Sequence, residues 1–476
     1  MLIVGTGFGG IGTAIELKRA GFTDFTILES AAEPGGVWRD NTYPGAACDI
    51  PSPLYSFSFE PNPRWPKRFS RQPDILAYLR GVITKYGLEP HIRYGTEVTG
   101  AAFDDGVWRV ETKTGETYEA TVFVPAVGQL SRPVLPDIPG RDRFAGAAFH
   151  SARWDHSVEL TGKRVAVVGT GASAVQFVPE LRKHAKHVTV FQRTPPYVLA
   201  KSDPTYRGWQ RWLFEHLPPT QLLGRLRIFL LAEYATYAMT RHPALAKMFE
   251  LRTAQLRRRH IKDPELRAKL TPDYPLGCKR ILFTNDYLPA LAEPDVDVET
   301  ARISEITASG VRTEDGVEHE ADVIIYGTGF AATDFLGPID VRGLGGRSLK
   351  EAWSGGARAY LGITVPGFPN MFCVYGPNTN LGAGSIIYML ERQARYIRQA
   401  VEQLARPGVS SLDVQPEVEA RYDEEVQARL GRSVWSACAN WYRQADGRVT
   451  TNWPGLVTEY DRRTRRLDPA DFRVVA

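Results

Sequence analysis

The sequence has little cysteine: four residues in 476, none of them close to another. Without a CxxC pair or a metal-ligand spacing, neither a paired redox dithiol nor a cysteine-held metal site is expected. No charged segment followed by a short apolar stretch marks a secretory signal. We therefore expect a cytoplasmic protein without a metal, in which four cysteines are reduced thiols: Cys48, Cys278, Cys373 and Cys438.

A long uninterrupted apolar run is also missing. The most apolar candidate, residues 222–237, contains Arg225, Arg227 and Glu233, so it falls short of the roughly 18 clean apolar residues that a spanning helix needs. The net charge of +4 is too small to indicate a nucleic acid or a charged membrane as partner. These absences predict a soluble protein with no integral membrane segment. The small positive charge is compatible with an anionic ligand such as a dinucleotide.

A glycine-rich turn stands at the start of the chain. The apolar run Leu2–Val4 leads into Gly5-Thr6-Gly7-Phe8-Gly9-Gly10 and then a helical pattern, the arrangement that binds a dinucleotide pyrophosphate. Gly5 allows the turn, Gly7 lets the pyrophosphate approach, and Gly10 lets the helix pack on the strand. A second apolar run ends at Glu29, an acid that suits ribose hydroxyls and disfavours a 2′-phosphate. We therefore expect FAD here.

The same pattern recurs near the middle of the chain. Arg164–Val168 precedes Gly169-Thr170-Gly171-Ala172-Ser173-Ala174, in which alanine in the third position is an accepted variant. Each copy places the residue at the end of its second strand 24 positions after the first glycine. Here that residue is Arg193, beside Thr194. An arbitrary arginine is most simply a solvated charge, but at this position it can pair with the 2′-phosphate of NADPH.

Two dinucleotide units predict an α/β protein with two Rossmann-like domains and a helical insertion. We expect the FAD-binding domain over residues 1–139 and 331–476, and the NADP-binding domain over 140–200 and 277–330. A segment rich in proline and glycine, residues 132–140, would link them. Two unlike sites in one chain indicate hydride transfer between NADPH and FAD.

The insertion, residues 201–276, replaces the strand–helix rhythm with helical patterning, and Trp209, Trp212 and Leu213 share a face. Its role stays open among simple packing, lining of a substrate site and facing a membrane. The sequence leaves the oligomeric state open as well. It also leaves open whether residues that precede the first strand are absent from it.

Two longer motifs resemble those of a known family. Residues 144–155 match FxGxxxHxxxW followed by Asp, the fingerprint of the type I Baeyer–Villiger monooxygenases, which are class B flavoprotein monooxygenases. Residues 35–49 match a second family pattern, [AG]GxWxxxx[FY]P[GM]xxxD. The resemblance extends over nearly the whole chain, including Gly277-Cys278-Lys279-Arg280.

The resemblance implies an NADPH- and O2-dependent enzyme that converts a ketone to an ester or lactone through a C4a-peroxyflavin and a Criegee-type adduct. Arg280 would be the central catalytic residue, because a permanent cation favours the anionic peroxide and stabilises the adduct. Asp49 would hold Arg280 in place and modulate its position during flavin reduction. Lys279 would bind the 2′-phosphate together with Arg193, and retained NADP⁺ would shield the flavin from water.

The remaining candidate residues follow from the motifs and the resemblance. His150 is expected to anchor the interdomain linker rather than to act as a base, and Trp154 is expected to pack. The flavin-site candidates are Gly5, Gly7, Gly10, Glu29, Gly36, Trp38, Asp49, Tyr55 and Val98. The NADP-site candidates are Thr170, Gly171, Ala172, Ser173, Gln176, Arg193, Thr194 and Lys279.

Three rival functions are weighed against this interpretation. An N- or S-oxygenating flavin monooxygenase shares the architecture, but the Trp–Asp ending of the fingerprint and Arg280 favour the ketone reaction, with sulfides as a second substrate class. A pyridine-nucleotide–disulfide reductase would need a redox dithiol that the sequence lacks. A non-catalytic NADP sensor would not need the flavin motifs.

Overall fold

The computed structural model describes residues 1–444 and 446–475. Its strands are β1 Leu2–Val4, β2 Thr26–Leu28, β3 Ile92–Arg93, β4 Val98–Asp104, β5 Val107–Thr112, β6 Thr117–Ala120, β7 Phe123–Pro125, β8 Ala147–His150, β9 Arg164–Val168, β10 His187–Phe191, β11 Val198–Leu199, β12 Leu282–Phe283, β13 Val296–Glu299, β14 Ile303–Ile306, β15 Gly310–Thr313, β16 Glu318–Glu320, β17 Val323–Tyr326, β18 Asp340–Arg342, β19 Ser411–Val414 and β20 Phe472–Val475. Its α-helices are α1 Phe8–Arg19, α2 Val37–Asp40, α3 Gln72–Lys85, α4 Ala174–Leu181, α5 Gly208–His216, α6 Pro218–Arg241, α7 Pro243–His260, α8 Pro264–Lys269, α9 Tyr287–Leu291, α10 Leu349–Ala352, α11 Ile386–Leu404, α12 Pro416–Leu430 and α13 Val457–Thr464.

The first glycine-rich turn belongs to a parallel sheet with the strand order β3-β2-β1-β7. All residues of β1 are buried, as expected for a central parallel strand that is covered on both faces. The chain continues from β1 to β2 on one side, whereas β7 fills the other side. β1 is therefore the topological switch point, and the crevice at its carboxyl end is where an α/β sheet binds ligands.

A second parallel sheet repeats this arrangement with the order β13-β10-β9-β17-β8. Here β9 is the switch strand, with β10 on one side and β17 on the other, and Gly169 follows it directly. The α/β fold with two Rossmann-like units is thus confirmed. β8 lies beside β17 and pairs His150 with Tyr326.

The C-terminal part of the chain packs on the first sheet. Helix α11 lies against α1, and Arg398 Nε is 3.0 Å from Glu16 Oε1 across this contact. The backbone of Phe123, in β7, exchanges hydrogen bonds with Asn370 and Phe372. The two segments proposed as one FAD-binding domain are therefore neighbours in space, although more than 360 residues separate α1 from α11 in the sequence.

Residues 201–276 contain the helices α5, α6, α7 and α8. Trp209 and Trp212 do not form a packed stripe with Leu213: they are 62% and 57% exposed. No helix in the described part of the chain is long and apolar enough to cross a membrane.

A disulfide joins Cys278 and Cys438, whose Cα atoms lie 6.1 Å apart. The expectation of four reduced thiols is therefore wrong for this pair, while Cys48 and Cys373 are free and buried. The two bonded cysteines are 160 residues apart, so no local spacing could reveal them. The fold brings them together because the C-terminal segment covers the loop that contains Lys279 and Arg280.

Candidate active site

The turn after β1 has the shape of a pyrophosphate cradle. Gly5 adopts φ +104°, and a Cβ there would lie 2.7 Å from the carbonyl oxygen of Ala126. A Cβ on Gly10 would lie 2.0 Å from the oxygen of Gly5, so helix α1 needs glycine to sit this close to the turn. A Cβ on Gly7 would meet nothing within 4 Å, which leaves room for a phosphate at the helix N-terminus. These residues fit the pyrophosphate of FAD.

Glu29 is buried at the end of β2, directly behind this turn. Its Oε2 accepts hydrogen bonds from the backbone N–H of Thr6 at 3.0 Å and from Thr6 Oγ1 at 2.5 Å. Its Oε1 accepts from Ala31 N at 3.0 Å and from Arg39 Nη1 at 2.9 Å. The carboxylate therefore stabilises the turn itself, and it lies where the motif expects the ribose-binding acid.

The family motif of residues 35–49 folds against the same turn. A Cβ on Gly36 would lie 3.2 Å from the Cα of Gly7. Trp38, in α2, donates a hydrogen bond from Nε1 to the hydroxyl of Tyr55 at 3.0 Å, and Tyr55 meets Phe8 edge to face at 5.5 Å between ring centroids. Three of the predicted flavin-site residues thus come together beside the phosphate cradle.

Val98 has a different position from these residues. It is buried in β4 and packs in the hydrophobic core that contains Leu2, Val4 and Leu28. Ile3 lies between Leu2 and Val4 in β1 but belongs to a different core, which also contains residues of α1. Val98 therefore packs on the face of the first sheet that is opposite to α1.

The turn after β9 is built in the same way. Gly169 adopts φ +105°, and a Cβ there would lie 2.6 Å from the oxygen of Gly327, next to β17. Helix α4 follows Ser173, and Gly171, Ala172 and Ser173 form the exposed or half-buried connection. Thr170 Oγ1 donates a hydrogen bond to the carbonyl of Thr194 at 3.0 Å, which joins this turn to the segment after β10.

Two predicted 2′-phosphate ligands approach each other at that segment. Lys279 Nζ donates a hydrogen bond to Thr194 Oγ1 at 2.8 Å and lies 4.6 Å from the ring centroid of Tyr274. Burial lowers the pKa of Lys279, and the positive charge of Arg193 lowers it further. Arg193 itself is exposed. Two cations that repel each other at the end of β10 form a site that a dianionic phosphate would stabilise, so the residues fit NADPH.

Arg280 and Asp49 form a bidentate ion pair. Arg280 Nε donates to Asp49 Oδ2 at 3.0 Å, and Nη2 donates to Oδ1 at 2.7 Å. The charge of Asp49 raises the pKa of Arg280 above its ordinary value, although burial opposes this effect. The guanidinium is therefore always charged and has a fixed orientation. Asp49 ends the motif that begins against Gly7, and Arg280 follows Lys279, so the pair connects the two nucleotide sites.

Two tyrosines that the sequence analysis missed surround this pair. Burial raises the pKa of Tyr442 to about 12, and the charge of Arg280 partly counteracts this. Burial also raises the pKa of Tyr375, with the same opposing effect of Arg280. Tyr375 adopts φ +61°, and its hydroxyl donates to Asn380 Oδ1 at 2.8 Å. The Gly376-Pro377 turn signal after Tyr375 marks an irregular loop, but nothing in the sequence places either phenol near Arg280.

Lys201 is a third residue without a sequence signal. Its ammonium group donates to the carbonyl of Cys48 at 3.2 Å and lies 4.6 Å from the ring centroid of Phe69. Burial is the main cause that lowers the pKa of Lys201, and nearby Asp203 and Asp49 raise it. Lys201 thus connects the segment that follows β11 to the segment that ends in Asp49.

Gln176 links the two nucleotide units rather than pointing freely into one of them. Its Oε1 accepts hydrogen bonds from Tyr43 Oη at 3.0 Å and from Ala47 N at 3.2 Å, and its Nε2 donates to Ala47 O at 2.9 Å. Tyr43 and Ala47 belong to the second motif. Helix α4 therefore holds the segment that leads to Asp49.

His150 and Trp154 occupy structural positions. The ring of His150 is buried, its Nδ1 accepts from Ala152 N at 3.1 Å, and it meets the ring of Phe330 at 5.7 Å. Burial lowers the pKa of His150, which Gly329 partly offsets. Trp154 packs on Phe177 at 5.5 Å between ring centroids. Both side chains hold β8 to its surroundings, since Trp154 also meets Phe149 of β8 at 5.2 Å.

The fold and its two glycine-rich turns define a flavoprotein oxidoreductase with one FAD and one NADP site. A family model described as pyridine nucleotide-disulphide oxidoreductase matches residues 2–218. A Baeyer-Villiger monooxygenase of Streptomyces coelicolor is 48% identical, over 99% of this chain and 92% of that protein. Another from Pseudomonas aeruginosa is 43% identical over 99% of this chain and 90% of that protein. The chain belongs to the Baeyer–Villiger monooxygenase family.

A solved structure described as oxidized steroid monooxygenase bound to NADP superposes with a TM-score of 0.90. It is 29% identical, and the match covers 100% of this chain and 99% of that one. The enzyme class and the FAD and NADP(H) requirement inferred from the two motifs are thus confirmed. The reductase alternative is not favoured, since the disulfide of this chain joins distant residues rather than a CxxC or CxxxxC pair.

Proposed function

We propose that this enzyme uses NADPH and O2 to convert a ketone into an ester or lactone, with release of NADP⁺ and water. The bidentate pair between Arg280 and Asp49 is the observation that carries the proposal. It lies between a turn that fits FAD and a cation pair that fits the 2′-phosphate of NADPH. The names of the relatives, which are Baeyer-Villiger monooxygenases, support the same reaction class.

FAD would be held by the turn of Gly5, Gly7 and Gly10, with Glu29 behind it and Gly36, Trp38 and Tyr55 beside it. Bound FAD supplies the redox chemistry, since it accepts a hydride from NADPH and activates O2. The chain itself has to orient the ketone, exclude water and stabilise the negative charge that develops on the oxygen atoms.

Arg280 is proposed as the residue that stabilises this charge. Its guanidinium has no accessible neutral form, so it attracts an oxyanion without donating its proton away. Asp49 fixes its orientation through two hydrogen bonds. The neutral phenol of Tyr442 adds a donor nearby, whereas Tyr375 donates its proton to Asn380 Oδ1. The proposed NADP-binding residues are Thr170, Gly171, Ala172, Ser173, Gln176, Arg193, Thr194 and Lys279. Gln176 contributes to this site while it is hydrogen-bonded to the backbone of Ala47.

We propose the domain limits that the sequence predicts: FAD over 1–139 and 331–476, NADP over 140–200 and 277–330, and the insertion over 201–276. Sulfides are proposed as a second substrate class, because the same flavin chemistry oxidises sulfur. A cytoplasmic location is proposed because the reaction consumes NADPH.

The test is an aerobic incubation of the FAD-loaded enzyme with NADPH, ¹⁸O2 and a panel of ketones and sulfides. We expect an ester or lactone that contains one ¹⁸O atom, and its loss in Arg280→Ala. Sulfoxide formation with no ester from any ketone would contradict the proposal and favour the heteroatom-oxygenating alternative.

A further inference from the structure

The outer surface of helix α6 is apolar and open to solvent. Leu223 is 68% exposed and Leu226 is 51% exposed, so neither leucine packs in a hydrophobic core. The residues spaced by about four positions share one face of the helix. The exposed apolar side chains of α6 are Leu222, Leu223, Leu226, Leu230, Leu231 and Tyr234.

The neighbouring helices extend this surface, which we call the outer helical face. Helix α5 adds Trp209 and Trp212, and α7 adds Met248 and Leu251, each at least 50% exposed. Large apolar patches on the surface of soluble proteins mark interaction sites. We therefore expect the outer helical face to bind an apolar partner.

The orientation of α6 is fixed by its contacts with the rest of the protein. Arg225 donates to the carbonyl of Pro53 at 2.7 Å and to that of Ser56 at 3.1 Å. Glu233 accepts from the N–H of Val457 at 2.8 Å, at the start of α13. Arg225 and Glu233 thus bind the rest of the protein, while the exposed leucines and Arg227 of α6 face solvent. Rotating the helix to bury the leucines would break these bonds.

The charges around the outer helical face have one dominant sign. Residues 207–260 contain ten Lys and Arg against three Asp and Glu, whereas the remainder of the chain contains 48 against 51. The three acids are occupied within the protein. Glu215 pairs with Arg64, Glu233 binds Val457, and Glu250 accepts from Leu276 N at 3.3 Å.

Several of the cations, in contrast, are exposed and available. Arg211, Arg227, Arg252 and Arg258 have no acidic partner among the residues that the structure describes. They are interspersed with the exposed leucines and tryptophans on the same helices. An apolar surface with surrounding arginines matches an acyl-chain boundary that lies beneath negatively charged headgroups.

We propose that the outer helical face docks the enzyme on the surface of an anionic lipid bilayer. The helices lie in the interface and do not span it. Trp209, Trp212 and Tyr234 are amphipathic aromatic side chains of the kind that concentrate at this depth. A second copy of the chain is the less suitable occupant, because a symmetric contact would bring the two sets of unpaired arginines together.

The docked surface would lie close to the candidate active site. Met239, on the same helix α6, packs against Gly277. A Cβ atom added to Gly277 would lie 3.2 Å from Met239 Sδ. Gly277 is three residues before Arg280. The bilayer would therefore be separated from this loop by roughly the thickness of one helix, about 10 Å.

The test is flotation of the FAD-loaded enzyme with vesicles. We expect it to float with vesicles of phosphatidylglycerol and phosphatidylcholine and to float much less with phosphatidylcholine alone. Salt at 0.5 M should release most of it, because the Debye length then falls to about 4 Å. Leu226→Ser/Leu230→Ser should weaken binding by at least about tenfold, since each leucine would lose part of its apolar burial.

The matched control is Leu135→Ser/Leu344→Ser, which removes two leucines of similar exposure outside these helices and should bind vesicles like the wild type. Arg211→Gln/Arg227→Gln should reduce binding to anionic vesicles only. Retained flavin absorbance and circular dichroism would show that each variant is folded. Two outcomes would overturn the proposal: wild-type enzyme that stays with the soluble fraction for every vesicle, or leucine-dependent dimers in light scattering without vesicle binding.

Discussion

Arg280 donates two hydrogen bonds to Asp49, from Nε at 3.0 Å and from Nη2 at 2.7 Å. The two residues are 231 positions apart in the sequence. One ends the motif that packs on the first glycine-rich turn, and the other follows Lys279 beside the second nucleotide unit. If this ion pair supports catalysis, activity should depend both on the charge and on the shape of each side chain, and substitutions can test the two separately.

Replacing Arg280 should separate oxygen activation from ketone oxygenation. In Arg280→Ala we expect the rate of ester formation to fall by about 10²–10³ or more, the typical loss when one charge-stabilising group is removed. NADPH oxidation should continue, with H2O2 as the product. Arg280→Lys keeps the charge but loses the bidentate contact, so its loss should be intermediate. Full ester formation in Arg280→Ala, measured by mass spectrometry, would exclude the proposed role.

Replacing Asp49 by asparagine keeps the shape but removes the counter-charge. We expect kcat for the ketone to fall about 10–100-fold, because Arg280 loses its fixed orientation, while FAD content stays near the wild-type value. A double-mutant cycle with Arg280→Lys checks the mechanism. If Asp49 acts through Arg280, the two effects should be strongly non-additive. Additive losses would indicate that Asp49 acts on another group.

The cation pair beside β10 should determine coenzyme choice. Arg193→Gln and Lys279→Met should each raise the KM for NADPH about tenfold or more, since each removes a charge-assisted contact to the 2′-phosphate. The KM for NADH should change little. Lys183→Met is the control, because Lys183 is an exposed lysine after α4 that pairs with Glu180. An equal rise in KM for both coenzymes would argue against 2′-phosphate recognition.

Buried His150 should contribute to the pH dependence of stability. Because burial lowers its pKa below 6.5 in the folded protein, the unfolded chain binds more protons in mildly acidic solution. This contribution to stability is present above pH 6.5 and is lost as the pH falls toward the lowered pKa. His150→Gln should therefore weaken the fall in unfolding free energy between about pH 7.5 and 5.5, measured by denaturant titration. An unchanged slope in His150→Gln would refute the assignment.

The fold followed from local patterns, whereas the surroundings of the catalytic pair did not. Gly5, Gly10 and Gly169 are set by short-range backbone geometry, so their spacing predicted two parallel units and the position of each phosphate cradle. Tyr375 and Tyr442 approach Arg280 only because long segments of the C-terminal region pack across the chain. No periodicity records such contacts, since loop closure depends on the whole fold. Arg193 could be predicted from its place at the end of a strand, and Lys279 and Arg280 from the family resemblance. The structure brings Lys279 beside Thr194 and within the electrostatic influence of Arg193.

The disulfide between Cys278 and Cys438 gives a prediction that needs no substrate. The denatured but unreduced protein should titrate two thiols, from Cys48 and Cys373, and the reduced protein should titrate four. A cross-link over 160 residues restricts the unfolded chain, so Cys278→Ser/Cys438→Ser should lower the unfolding free energy by about 2–4 kcal/mol. Cys373→Ala removes a free cysteine and should leave the Cys278–Cys438 disulfide intact, so it serves as the control for cysteine removal.

Function should respond as well, because Cys278 immediately precedes Lys279 and Arg280. Opening the bond releases the loop from the C-terminal segment, so the ion pair with Asp49 should become less well oriented. We expect reduced wild-type enzyme and Cys278→Ser/Cys438→Ser to show the same increase in H2O2 released per NADPH, with the double variant insensitive to reductant. If four thiols titrate before reduction, the cysteines are not bonded in solution. If two titrate but reduction leaves the H2O2 yield unchanged, the bond stabilises the fold without positioning Arg280.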